Sequence, residues 1–185
     1  MNGRRIILKG GAFALAGVLL LVHSAYSRPE ATAHSSVAAL TVEKTRLQRV
    51  HLYFSGPDHT FLMAEPRDLP GSGDPSELGK NIVQALIDGP RGKGVRTLPA
   101  STTVRDVFIT DEGTAYVDFS EKVTEDHPGG IQTEVVSIYS VVNSLILNLE
   151  GISAVKLLIG GQEADTLAGH VDLRFPYKAD ILLVK

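Results

Sequence analysis

Residues 131–149, "IQTEVVSIYSVVNSLILNL", constrain the fold more than any other stretch of this chain. Ile131, Val135, Ile138, Val142, Leu145 and Leu149 recur at helical spacing, and Val136, Tyr139 and Ile146 widen the stripe. A helix that is apolar over so broad an arc is expected to be the most buried element of its domain. His127-Pro128-Gly129-Gly130 leads into it and Gly151 ends it.

The flanking segments have strand period. In "VHLYFS", Val50, Leu52 and Phe54 alternate with His51, Tyr53 and Ser55. "GPDHT" is a turn, and "FLMAEPRDL" is a second strand that Pro66 ends or confines to a sheet edge. A shorter helix follows. Asp74 suits its N-cap, Pro75 its first position, and Glu77 completes a capping box. Leu78, Ile82, Ala85 and Leu86 form its buried stripe, and Gly89-Pro90 stops it. Gly79 costs such a helix about 1 kcal/mol relative to alanine and points to close packing. "TVRDVFIT" and "TAYVDFS" flank "DEG" as a second hairpin. After the long helix, "SAVKLLI" and "QEADTL" flank Gly160-Gly161 as a third. The order ββ-α-ββ-α-ββ predicts an α+β fold: a single two-layer domain, a mostly antiparallel sheet with two helices on one face.

Ahead of the domain, residues 1–27 read as a signal peptide or an N-terminal membrane anchor. Arg4, Arg5 and Lys9 precede the apolar run Gly10 to Val22, and Ala25-Tyr26-Ser27 supplies small residues for cleavage after Ser27. If residues 6–22 are kept instead, they anchor the chain. "RRIILK" also resembles a twin-arginine export signal. Either way the rest is expected outside the cytoplasm, in the periplasm or an equivalent space. Residues 28–48, rich in Ala, Ser and Thr, read as a flexible linker, 49–176 as the folded domain and 177–185 as a tail. Loss of residues 1–27 removes three cations and no acid, moving the net charge from −3 to −6. No basic stripe remains, so nucleic acid is not an expected partner, and a membrane is expected only through an uncleaved N-terminal segment. The chain has no cysteine, which excludes disulfides, a catalytic thiol and a lipid-bearing N-terminal cysteine.

Chemistry has three places to reside. His127, His170 and Asp172 are the candidate metal ligands, but they follow no ligand spacing such as HExxH, and no metal or other cofactor is expected. Gly129-Gly130 before a helix could receive an anion, yet neighbouring acids repel one and no phosphate-loop pattern is present. Ser55, Ser120 and Ser137 coexist with histidines, but no GxSxG elbow occurs, so no catalytic residue is assigned. Gly89, Pro90, Pro128, Gly129 and Gly130 are expected to act structurally, as turns at helix ends.

Five segments in order resemble the GerMN domain of sporulation and germination proteins: "VHLYFS" with "FLMAEPR", "IVQALIDGP", "LPASTTVRDVFITDEGTAYVDFSEKV", "HPGG" with "IYSVVNSL", and "LIGGQEADTLAGHVDLRFP". The resemblance covers residues 49–176. It implies a small α+β module similar to the ring-building motifs of envelope-spanning assemblies, located outside the cytoplasmic membrane. It implies no catalytic residues. The chain carries one such domain, where the sporulation member carries two, and it lacks a lipid-attachment cysteine. The expected function is therefore a non-enzymatic exported envelope protein that binds other envelope proteins or itself, in envelope, sporulation or germination-related complexes. The alternative is a periplasmic metal-dependent hydrolase or small-ligand binder using His127, His170 and Asp172.

Overall fold

A computed structural model of the protein describes residues 46–185. The export segment and the linker up to residue 45, with the expectations attached to them, lie outside the described residues. No helix among the described residues is long and apolar enough to cross a membrane.

β1 (Leu47–Ser55) and β2 (Leu62–Pro70) form an antiparallel hairpin. The alternation in β1 buries Val50, Leu52 and Phe54. Pro66 sits within β2, opposite His51. The N–H and C=O of His51 turn away from β2 to the side chain of Asn148. That rung asks no donor of Pro66, so the strand continues through it as an edge strand.

α1 (Pro75–Asp88) starts at Asp74, whose carboxylate accepts from the Ser76 N–H at 2.9 Å. Glu77 does not close the box on Asp74 directly. Ser72 Oγ accepts from the Asp74 N–H and donates to Glu77, relaying the bond. The expected stripe, Leu78, Ile82, Ala85 and Leu86, is buried. Gly89 ends the helix at φ 93°, and a Cβ there would lie 2.6 Å from the Arg96 guanidinium. Arg96 uses that space to donate to the Ile87 and Asp88 carbonyls, a cation at the negative end of the helix. Arg67 donates to the Gly89 carbonyl, and Glu65 accepts from the Arg91 and Gly92 N–H groups. The Gly89-Pro90 turn is thus tied to β2 by the Glu65–Arg67 pair.

β3 (Val104–Ile109) and β4 (Thr114–Phe119) pair antiparallel, with a register shift between Val104 and Asp106. A short helix, α2 (Lys122–Glu125), follows β4. α3 (Ile131–Ile146) then crosses back and delivers β5 (Ala154–Ile159) parallel to β4. β6 (Gln162–Glu163) pairs with β5 across Gly160 and Gly161, both at positive φ as a tight hairpin turn requires. The α+β class and the element order agree with the sequence. Within that class there are two sheets, β1-β2 and β3-β4-β5-β6, and one parallel pair. A parallel pair needs a long crossover, and α3 is that crossover. One apolar core joins both sheets with α1 and α3. A Cβ on Gly79 would lie 3.1 Å from Val107 and 3.4 Å from Leu149, so this glycine lets α1 approach β3 and the end of the α3 segment.

Two expectations change. Ile131 stands 66% exposed at the first position of α3, while Val136, Ile138, Val142, Leu145 and Leu149 of the expected stripe are buried and Glu134 and Val141 join them. The strand expected over "QEADTL" stops at Glu163, because Leu167 and Leu173 enter the core and the chain between them folds onto α3. The tail docks. Tyr177 pairs with Val155, the Asn143 side chain bonds both the N–H and C=O of Asp180, and Val184 lies beside Leu62.

Candidate functional site

α3 carries a row of polar side chains on a helix that the sequence presents as apolar. Ser137, Ser140, Ser144 and Asn148 follow one another at helical spacing along α3 and the turn beyond it. Asn148 accepts from the His51 N–H at 2.8 Å and donates to the His51 carbonyl at 2.7 Å. Ser144 accepts from the Tyr53 N–H at 3.0 Å, and Ser140 donates to the Tyr53 carbonyl. Ser55 completes the edge by pairing its N–H and C=O with Val95. From His51 to Ser55 the outer edge of β1 is therefore closed, by side chains at His51 and Tyr53 and by the Val95 backbone at Ser55, and strand addition along that stretch is blocked.

The sequence-derived candidates flank the first turns of α3 without converging. His127 Nδ1 accepts from the Gly129 N–H at 3.0 Å, so the ring proton sits on Nε2, 2.9 Å from Ser137 Oγ. Ser137 in turn donates to the Thr97 carbonyl. A Ser–His pair for acyl transfer needs the reverse polarity, an unprotonated Nε2 to take the serine proton. His170 Nδ1 lies 2.7 Å from Glu134 Oε1, and Asp172 is held by Arg174 at 2.7 Å. Hydrogen bonds from the Arg174 side chain and N–H hold the Asp172 carboxyl down to about 2. No group of three or more His, Asp or Glu side chains placed to hold a metal occurs among the described residues.

Sequence reasoning passed over Glu134. It is fully buried, and its carboxylate accepts from the N–H groups of Ala168, His170 and Val171 at 3.1, 3.2 and 2.9 Å as well as from His170. Burial alone would raise its pKa. The Val171 N–H, the His170 ring and the other two N–H groups outweigh burial and hold it below the usual carboxylate range. A signal was available: Glu134 lies one turn before Ile138 on the apolar face, where an acid has to find partners. Lys156 in β5 is a second such residue, buried and donating to the carbonyls of Leu173 and Arg174.

A family model described as Germane, sporulation and spore germination, matches residues 51–165, from within β1 to just past β6. The chain belongs to this family. The first GerMN domain of the sporulation protein GerM from Bacillus subtilis is 25% identical, with a TM-score of 0.56 over 72% of this chain and 96% of that one. The tandem GerMN domains of the same protein give 26% and 0.57 over 73% of this chain and 46% of that one, so the chain spans about half of the tandem. A lipoprotein candidate from Clostridium perfringens shares the fold at 23% identity and a TM-score of 0.53, over 71% of this chain and 87% of that one. No curated protein matches the chain.

In this Germane domain the "HPGG" segment joins α2 to α3. Gly129 and Gly130 have φ of 73° and 93°, a region closed to most side chains, and Gly130 is the N-cap of α3. His127 is half-buried. Burial pushes its pKa down more than the charge of Glu134 lifts it. The unfolded chain, with an ordinary imidazole near 6.5, therefore binds the proton more readily than the fold does. The stabilisation is complete above that pH and is lost as pH falls through it. Urea midpoints measured from pH 7.5 to 5.5 should decline, and His127→Gln should flatten part of that decline. A variant with an unchanged slope would show that His127 does not contribute.

Proposed function

We infer that this chain is a non-catalytic module of the cell envelope that acts outside the cytoplasmic membrane and binds other envelope proteins or further copies of itself. One observation carries the reading. The side chains able to do chemistry are committed to internal bonds that hold the fold: His127 to Ser137 and Gly129, His170 to Glu134, Asp172 to Arg174. The relatives support the location and the process, since one is a sporulation protein and another a lipoprotein candidate. The basic and apolar residues 1–22 would deliver the domain across the membrane, and residues 6–22 would anchor it if kept. Without cysteine, the chain has no thiol for lipid attachment.

Crosslinking of a tagged full-length chain in its native host, followed by mass spectrometry, is expected to capture specific envelope proteins or the chain itself. Light scattering of the purified protein separates the two cases, because a strict monomer leaves only a different protein as partner. Reproducible capture of nothing specific would end the reading.

A further inference from the structure

A cleft of about 310 Å³ opens between the β1–β2 turn, the 96–99 loop and the start of α3. Its floor is apolar, with Leu98, Pro99, Pro128 and Val136. Its only ionisable lining residues are His59 and Arg96, and no carboxylate lines it among the described residues. That stands out in a chain with 21 acids against 18 Lys and Arg.

His59 is the only non-glycine residue at positive φ among the described residues, at 57°. Such backbone is retained where surrounding contacts hold it, and it concentrates at ligand sites. Here Gln132 donates to the His59 carbonyl at 2.8 Å. Ser55 Oγ lies 2.9 Å from His59 Nδ1 and donates its own proton to the Gly56 carbonyl. Nδ1 is therefore the donor to Ser55, and Nε2 is the nitrogen without a partner among the described residues. Arg96 spends two of its five N–H donors on the end of α1 and keeps the rest.

We propose that this cleft binds the C-terminal carboxylate of a partner protein, with Arg96 and His59 at the charge and the apolar floor beneath the last side chain. The volume, at the low end for ligand sites, suits one or two terminal residues. A guanidinium without a competing acid, beside an imidazole whose free nitrogen donates once it is protonated, selects the negative end of a chain over its middle. The proposal depends on the partner-binding reading only for the source of the carboxylate, so the titration below and the crosslinking can fail independently.

Nuclear magnetic resonance of the labelled full chain tests it. N-acetyl-leucine should shift the amides of Thr97, Leu98 and Ser137 with a Kd of about 1 mM, typical for so small a ligand. N-acetyl-leucinamide should leave them unmoved. A ten-residue peptide ending in leucine should bind at least tenfold tighter than N-acetyl-leucine, and its C-terminal amide should not bind. Arg96→Gln and His59→Asn should each weaken binding at least fivefold, the second sparing the end of α1 and tolerating positive φ. Equal shifts from acid and amide, or unchanged binding by His59→Asn, would overturn the site. A peptide that binds no better than N-acetyl-leucine would replace the protein terminus with a small free carboxylate.

Discussion

Glu134→Ala is expected to cost the fold about 3–5 kcal/mol, the range for breaking a buried, fully bonded charge. The loss has a definite anatomy. Three N–H groups, on Ala168, His170 and Val171, lose their acceptor at once, and His170 loses its partner. The loop between Leu167 and Leu173 then keeps its two core side chains and, at its far end, the bonds from Tyr177 to the Asp172 carbonyl and from Lys156 to the Leu173 carbonyl, but loses every tie to α3 at 168–171. Glu134→Gln keeps one acceptor oxygen but turns an NH₂ toward donors, so it should lose roughly 1–3 kcal/mol. Urea denaturation gives the magnitudes, and amide exchange should quicken first at residues 168–171. A Glu134→Ala protein within about 1 kcal/mol of its parent would mean that water satisfies the loop, and the clamp would then be incidental.

The second large effect lies on the opposite flank of α3. Replacing Ser140, Ser144 and Asn148 together by alanine strips partners from the N–H and C=O of both His51 and Tyr53. Each buried backbone group left unpaired costs roughly 1–3 kcal/mol, and His51 is exposed enough for water to substitute, so the sum is about 3–6 kcal/mol. The variant should also self-associate faster than the parent at equal unfolded fraction, because an open strand edge templates pairing. Unfolding midpoints and light scattering on the same samples separate the two effects. A triple variant that is destabilised yet shows no faster association would restrict the seal to a stabilising role.

These two sites show where sequence reading succeeds and where it stops. Period alone locates β1, α1, β3, β4, α3 and β5, because burial of Val50, Leu52 and Phe54 or of Ile82 and Leu86 obeys the repeat of the backbone itself. The family resemblance was legible in the ordered segments and their turn residues. The division into two sheets was not, since nothing local says whether the strand after α3 returns parallel or antiparallel. The polar row was visible as Ser137, Ser140, Ser144 and Asn148, but its partner is almost a hundred residues away: His51 and Asn148 are 97 positions apart. His127 and His170 were legible as candidate residues, with no ligand spacing to join them. Each faces α3 from its own side, and only the fold reveals that Ser137 and Glu134 take them up.

The seal on β1 also determines how this domain can change its length. Two paired backbones can slip by two residues and find equivalent bonds, because every rung offers the same groups. A helix that offers side chains to a strand has no such latitude. One residue inserted between Ser137 and Asn148 would rotate everything after it by about 100° and carry the later partners off the strand. The spacing within this helix is thus as rigid as a thread pitch, and the loop at 89–103 shares that constraint, with Val95 paired to Ser55 and the Thr97 carbonyl accepting from Ser137. Variation that alters what the domain recognises is therefore expected in the side chains that line the cleft and not in the length of the segments around it.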